Sequence, residues 1–196
     1  MNQIESYIQT LKIDEVPWHR LTTAYGRASD FPKLFQQIQD MSKKSAVKSA
    51  LDHVLSDIEH QGTFWHSTPF AMIFLARLFC QCVPEADDSE CAALILEELL
   101  DFFNLAAELH LEDEELYDET PLPHFSDMLK EEYLWSEIYV EEEDEERYEE
   151  GEVFPDDLFY SFYYYSYQAI QYCRPALKKL EQTSFREAAE KLLELL

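Results

Sequence analysis

Glycine, basic residues and long apolar runs are scarce in this sequence. Only three glycines and eight prolines occur among 196 residues, which disfavours a turn-rich β fold and favours helices. The glycine-rich loops that bind phosphates and the Gly-x-Ser-x-Gly elbow of many hydrolases are both missing. The sequence therefore predicts an all-α protein that is not an enzyme.

Positive charge is also scarce. The chain has 15 Lys and Arg against 41 Asp and Glu, so its formal net charge is −26 and its pI is about 4.3. A surface of that sign repels the phosphates of nucleic acids and anionic lipid headgroups. We therefore expect no direct nucleic-acid partner and no membrane partner.

Targeting signals are not evident either. The first residues lack the basic and apolar regions of a signal peptide, and no apolar run reaches the roughly 18 residues of a spanning helix. The four cysteines lie within apolar helical patterns, which is typical of reduced, buried thiols. These features predict a cytoplasmic protein.

The length and the 46% hydrophobic content suit a single domain spanning 1–196. Apolar residues recur at helical spacing throughout, and Pro17 and Gly26 suggest the start and end of an early helix. Ser184 and Glu187 resemble a capping box before the last helix. The helices predicted in this way cover 4–11, 17–25, 31–38, 47–58, 70–78, 94–106, 158–173 and 188–196, with a shorter one around 125–134.

Two of these helices share a pattern. The segments 47–51 and 185–189 each have an apolar residue, a base and inward-facing small residues, and each is followed by a pair of apolar residues, 54–55 and 192–193. This is the inner-helix pattern of repeats that bury their faces by stacking. It predicts a short HEAT/ARM-like stack of antiparallel helix pairs.

Two stretches of the first 80 residues resemble a bacterial group of HEAT-like α-helical proteins. One runs from Trp18 to Pro32 and contains Ala-Tyr-Gly-Arg-Ala-Ser-Asp-Phe-Pro; the other is His-Gln-Gly-Thr at 60–63, leading into Thr68-Pro69. Compact acidic proteins of this kind look like immunity proteins of bacterial toxin systems, including contact-dependent growth inhibition. The resemblance implies an immunity protein of the bacterial cytoplasm whose partner is a cognate toxin domain.

An acidic insertion at 111–157 interrupts this pattern. Its segment 112–157 holds 21 acids against two bases, or about −19 of the net charge. Such a run can be a solvated loop, and calcium-loop spacing is absent. Aromatic side chains among the carboxylates instead suit a surface that binds a basic partner. The predicted partner-binding residues are Glu141, Glu142, Glu143, Asp144, Glu145, Glu146, Glu149, Glu150, Trp135, Tyr139 and Tyr148.

These observations lead to one functional prediction and two alternatives. The prediction is an immunity protein that neutralises a basic nuclease toxin, an RNase for example, with carboxylates that mimic phosphates and with no cofactor or metal. The first alternative is an α-solenoid adaptor without a toxin partner. The second is a metal-dependent hydrolase that uses His60, His66 and nearby carboxylates. His60, His66 and Cys80 form the best candidate metal cluster in the sequence, although helix capping explains the same loop.

The aromatic helix at 158–172 leaves a further question open. Tyr160, Tyr164 and Tyr167 lie on a second face beside the expected core stripe. Either both faces are covered, by the acidic segment for example, or the second face is a binding surface.

Overall fold

The computed structural model describes residues 2–112, 119–149 and 153–196, with only the backbone of Glu112, Tyr148 and Glu149. It is mostly helical, which confirms the all-α prediction. None of the helices in the described part is long and apolar enough to cross a membrane. The α-helices are α1 (Gln3–Thr10), α2 (Phe31–Asp40), α3 (Lys44–Ile58), α4 (Thr68–Cys82), α5 (Glu90–Glu112), α6 (Glu141–Glu149), α7 (Asp156–Tyr172), α8 (Arg174–Leu177) and α9 (Arg186–Leu195).

Short elements connect these helices. Two antiparallel hairpins, β1 (Thr22–Thr23) with β2 (Gly26–Arg27) and β3 (Glu59–His60) with β4 (Thr63–Phe64), flank α2 and α3. The 3₁₀ helices are Ile13–Glu15, Trp18–Arg20, Val83–Glu85, Phe125–Leu129 and Lys178–Gln182.

Helix α4 is the centre of the core. It is apolar on nearly all sides, and most of its residues are buried because α3, α5 and α7 surround it. Helix α5 packs on α3, α7 and α9, and α2 packs on α3. The buried hydrophobic side chains from Ile8 to Leu192, with the exception of Trp135, form one cluster. The more specific HEAT-like stack stays a prediction.

The prediction of a helix over 17–25 is wrong. That stretch folds into the 3₁₀ helix Trp18–Arg20 and the first hairpin, in which Ala24 and Tyr25 form the turn. Gly26 has φ of +133°, a conformation that L side chains rarely adopt, so the glycine ends a hairpin turn here and not a helix. In the second hairpin the turn residues Gln61 and Gly62 both have positive φ, as a type I′ turn requires.

The last helix also begins differently. Helix α9 starts at Arg186, and its preceding residue, Phe185, makes no side-chain cap. The Ser184 hydroxyl lies 3.2 Å from an Asp87 carboxylate oxygen instead. The predicted capping box is therefore wrong.

Helix α7 is covered on more than one face, and its second face, which carries Tyr160, Tyr164 and Tyr167, lies against α5 and α9. The Tyr163 hydroxyl donates to the Gly62 carbonyl in the second hairpin. The Tyr165 hydroxyl donates to the Leu122 carbonyl in the acidic insertion at 2.6 Å, and the Tyr167 hydroxyl to a carbonyl of α9. Tyr160 and Tyr164 stay half-buried and lie beside the ring of His110. The insertion therefore packs on the scaffold through α7.

Replacing Tyr165 by phenylalanine is expected to lower the free energy of unfolding by about 1–2 kcal/mol, because a buried hydrogen bond is lost. Urea unfolding measures this difference. The matched control is Tyr164→Phe on the same helix, since the Tyr164 hydroxyl makes no hydrogen bond within the described residues. Equal stability of the two variants would contradict the assigned role of the Tyr165 hydroxyl.

Candidate functional site

Arg27, at the end of β2, fastens the acidic insertion to the scaffold. Its side chain is 2% exposed and forms an ion pair with Asp144 of α6. Nε and Nη2 donate to the two carboxylate oxygens of Asp144 at 2.7 and 2.6 Å. Nη1 donates to the carbonyls of His19 and Ser136, and Nη2 also donates to the Ser136 hydroxyl. The five N–H groups of the guanidinium thus all meet acceptors.

Arg20 makes a second attachment from the 3₁₀ helix Trp18–Arg20. The side chain is buried, and it donates two hydrogen bonds to Glu131 at 2.9 and 2.6 Å. It also donates to Glu137 and to the carbonyl of Trp135. The hydrogen bond from Arg20 lowers the pKa of the Glu131 carboxyl below its ordinary value. The insertion is therefore held at both ends of the segment 131–144.

Trp135 packs between these attachments, and its predicted role as a surface anchor is wrong. The side chain is 1% exposed. The guanidinium carbons of Arg27 and Arg147 lie 5.4 and 4.5 Å from the centre of its ring, within the range of cation–π contact. The indole therefore stabilises the docked insertion and presents no area to a partner.

Asp144 also differs from the prediction. Its side chain is only 13% exposed, and both carboxylate oxygens accept hydrogen bonds from Arg27. Its charge is neutralised within the protein, so its assignment as a free partner-binding acid is wrong.

The other described acids of α6 point into solvent. Acids at a helix N-terminus interact favourably with the helix dipole, and glutamate is a good helix former, so this run forms a helix rather than a loop. Their side chains make no ion pair with any described residue. The exposed members are Glu141, Glu142, Glu143, Glu145 and Glu146.

Exposed apolar and aromatic side chains lie next to these acids. Tyr139, one of the predicted partner-binding residues, is 48% exposed. Ile138 (74%) and Tyr25 (66%) are more exposed and were not among the predicted site residues. We call these side chains together with the exposed acids of α6 the acidic–aromatic surface; it consists of Tyr25, Ile138, Tyr139, Glu141, Glu142, Glu143, Glu145 and Glu146. The predicted Glu150 and the side chains of Tyr148 and Glu149 lie outside the described part of the chain.

A sequence signal for Tyr25 did exist. Two threonines before Ala-Tyr-Gly are compatible with a two-residue hairpin turn, whose central residues face solvent. Gly26 is also compatible with the end of a helix, which is what the sequence pattern predicts at this position.

The two histidines considered for a hydrolase lie in different surroundings. His66 is fully buried, its Nε2 hydrogen bonds to the Met128 carbonyl at 2.7 Å, and its ring stacks on Phe162. His60 lies at the surface, where Nδ1 is 3.1 Å from the Tyr25 hydroxyl. Among the described residues, no group of three His, Cys, Asp or Glu side chains is placed to hold a metal ion.

Comparison of the chain with protein-family models, with curated proteins and with solved structures finds no match.

Proposed function

We propose that this protein binds and neutralises a basic protein, in the manner of an immunity protein against a nuclease toxin. The observation that carries the proposal is the acidic–aromatic surface, in which exposed carboxylates that form no ion pair with the described residues lie beside Ile138 and Tyr139. Carboxylates of this kind can occupy the positions that phosphates take in a nuclease cleft.

The contrast between paired and unpaired acids supports this proposal. Glu131, Glu137 and Asp144 satisfy the two buried arginines and keep the insertion in place. The exposed glutamates of α6 form no ion pair with any described residue. Their mutual repulsion opposes the helix, so a role in binding a cation-rich surface gives a reason for their presence.

The fixed position of the surface also favours binding. Arg20 and Arg27 hold the segment that carries Ile138 and Tyr139, so less conformational entropy is lost when a partner docks. Aromatic and large apolar side chains contribute most of the energy at protein interfaces. Negative charge around them raises the rate of encounter with a basic partner.

The direct test begins with the genes that neighbour the one encoding this chain, where the proposal expects a cognate toxin domain; the absence of any toxin domain there would count against it. We expect the two purified proteins to form a stoichiometric complex in size-exclusion chromatography and the complex to lose cleavage of an RNA substrate. A basic nuclease domain from that locus that neither binds the chain nor loses activity would overturn the proposal.

Replacing the five exposed glutamates of α6 by glutamine is expected to slow association at least about tenfold at low salt and to flatten its salt dependence. Stopped-flow association rates from about 0.1 M to about 1 M salt, over which the Debye length falls from roughly 10 to 3 Å, measure the effect. Asp144 is left unchanged, because its replacement would disturb the docking of α6.

A second five-fold variant provides the matched control. It removes the same amount of charge at exposed glutamates outside the acidic–aromatic surface, namely Glu85, Glu90, Glu97, Glu181 and Glu187. We expect a much smaller change in association rate, since these charges lie elsewhere. Equal effects of the two variants would show that overall charge, and not this surface, governs the encounter.

A further inference from the structure

A cavity opens between the first hairpin and the start of α6. Its volume is about 210 Å³, many times the space that one water molecule requires. Residues of the hairpin turn form one wall and residues around the N-terminus of α6 form the other. The residues that line it include Tyr25, Gly26, Tyr139, Glu141, Asp144 and Glu145.

The walls of this cavity are held in place by specific contacts. The Tyr25 hydroxyl lies 3.1 Å from Nδ1 of His60, and the two rings are 5.4 Å apart with an edge-on geometry. The Tyr139 ring centre lies 5.5 Å from the guanidinium carbon of Arg27. Gly26 lies under the Tyr139 hydroxyl, which would be 3.5 Å from an added Cβ atom. These contacts fix the positions of the two walls.

The chemistry of the cavity suits a cation. Glu141 and Glu145 are four positions apart on α6, so they share a helix face and repel each other. Neither makes an ion pair with a described residue. Burial, followed by the negative charges of Glu141 and Asp144, raises the pKa of the Tyr139 phenol above its ordinary value. A ligand with a positive charge would relieve this excess of negative charge.

The protein already binds one guanidinium with the same kinds of group nearby. Arg27 combines two aromatic rings, those of Trp135 and Tyr139, with the carboxylate of Asp144. The cavity likewise combines two aromatic rings, Tyr25 and Tyr139, with carboxylates. Planar guanidinium groups suit both rings and carboxylates better than ammonium groups do.

We infer that this cavity receives an arginine side chain of the bound protein, with its guanidinium between Tyr25 and Tyr139 and paired with Glu141 and Glu145. The inference rests on the proposed function and specifies which partner residue this part of the acidic–aromatic surface recognises. It also places a hairpin residue, Tyr25, in the same binding site as the insertion.

A short peptide probe tests the cavity without the partner. The ¹⁵N-labelled full chain is titrated with acetyl-Gly-Arg-Gly-amide, and the amide shifts are followed by NMR. We expect the shifts to concentrate at Gly26 and within 139–145, and the peptide with citrulline in place of arginine to bind at least about tenfold more weakly, because it lacks the charge. A third peptide carries lysine in place of arginine and should also bind more weakly, since an ammonium group suits the rings and carboxylates less well. Shifts that spread evenly over α6, or binding of the citrulline or lysine peptide as tight as that of the arginine peptide, would overturn the inference.

Variants separate the cavity from the general negative field. Glu145→Gln and Tyr25→Leu should each weaken arginine-peptide binding at least about fivefold, from the loss of a charged hydrogen bond or of a ring contact. The matched control Glu142→Gln removes the same charge from an exposed position of α6 that does not line the cavity, and it should change binding less than about twofold. Equal effects of Glu142→Gln and Glu145→Gln would count against a specific site. Unchanged spectra elsewhere in each variant establish that it is folded.

The same variants distinguish this inference from the proposed function. If the toxin domain binds the wild type and binds Glu145→Gln and Tyr25→Leu equally well, the arginine site is wrong and the proposed function stands. If the arginine peptide binds as expected but the toxin domain does not bind at all, the proposed function fails while the cavity remains an arginine site.

Discussion

Replacing Arg27 by alanine is expected to lower the free energy of unfolding by about 3–5 kcal/mol, the usual cost of removing one partner of a buried ion pair. The guanidinium is 2% exposed and its partner carboxylate on Asp144 is 13% exposed. Without the arginine, Asp144 keeps a largely desolvated charge, and the carbonyls of His19 and Ser136 lose their donors. Helix α6 has little apolar surface of its own to hold it against the scaffold.

Urea unfolding measures the loss of stability, and hydrogen exchange shows where it occurs. We expect the amides of 135–147 to exchange faster in Arg27→Ala, because the insertion detaches locally before the core unfolds. Asp144→Ala should have a similar effect, and the double variant should cost less than the sum of the two, since both act on one pair. The exposed Arg174 supplies the control, for which Arg174→Ala should stay within about 0.5 kcal/mol. A loss below about 1 kcal/mol for Arg27→Ala would contradict the role given to this ion pair.

The helices of the scaffold could be predicted from the sequence because their apolar residues repeat with the helical period over two or more turns. Helix α3, with Val47, Ala50, Leu51, Val54 and Ile58 buried, is a clear example. The two hairpins have strands of two residues each, which is too short for any period to appear. Their turns depend on positive φ at Gly26, Gln61 and Gly62, and only the glycines leave a trace of this in the sequence.

The candidate site was predicted in part. The charge run and Tyr139 were visible in the sequence. The sequence did not show which acids of the insertion pair with arginines and which form no ion pair with the described residues. That division depends on Arg20 and Arg27, which lie 111 and 117 positions before Glu131 and Asp144. Both arginines lie in the segment from Trp18 to Pro32. The insertion therefore docks on a part of the chain more than 100 positions before it, a relation that no local pattern expresses.

His66 is expected to make the stability of the folded protein sensitive to acid. The ring is fully buried against aromatic side chains, and burial lowers its pKa from 6.5 to about 4. Its Nε2 donates to the Met128 carbonyl, and Nδ1 has no hydrogen-bond partner among the described residues. A proton on Nδ1 would therefore place an unpaired charge in the core, so the folded protein keeps this imidazole neutral where the unfolded chain does not.

From this histidine alone, the unfolding free energy of the wild type is expected to fall by about 1 kcal/mol per pH unit between pH 6 and 5. In this range His66 binds a proton in the unfolded chain but stays neutral in the folded protein. The stability that the neutral His66 contributes is complete above pH 6.5, the ordinary pKa of histidine. It is lost as the pH falls towards 4, the pKa of His66 in the folded protein. His66→Gln keeps a donor for the Met128 carbonyl but cannot titrate, so its unfolding free energy should fall less steeply over this interval in urea titrations. The exposed His124 provides the control, and His124→Gln should keep the slope of the wild type. The difference in unfolding free energy between a variant and the wild type cancels the contribution of the many carboxylates. Equal slopes of unfolding free energy against pH for His66→Gln and the wild type would show that His66 is protonated in the folded protein as readily as in the unfolded chain.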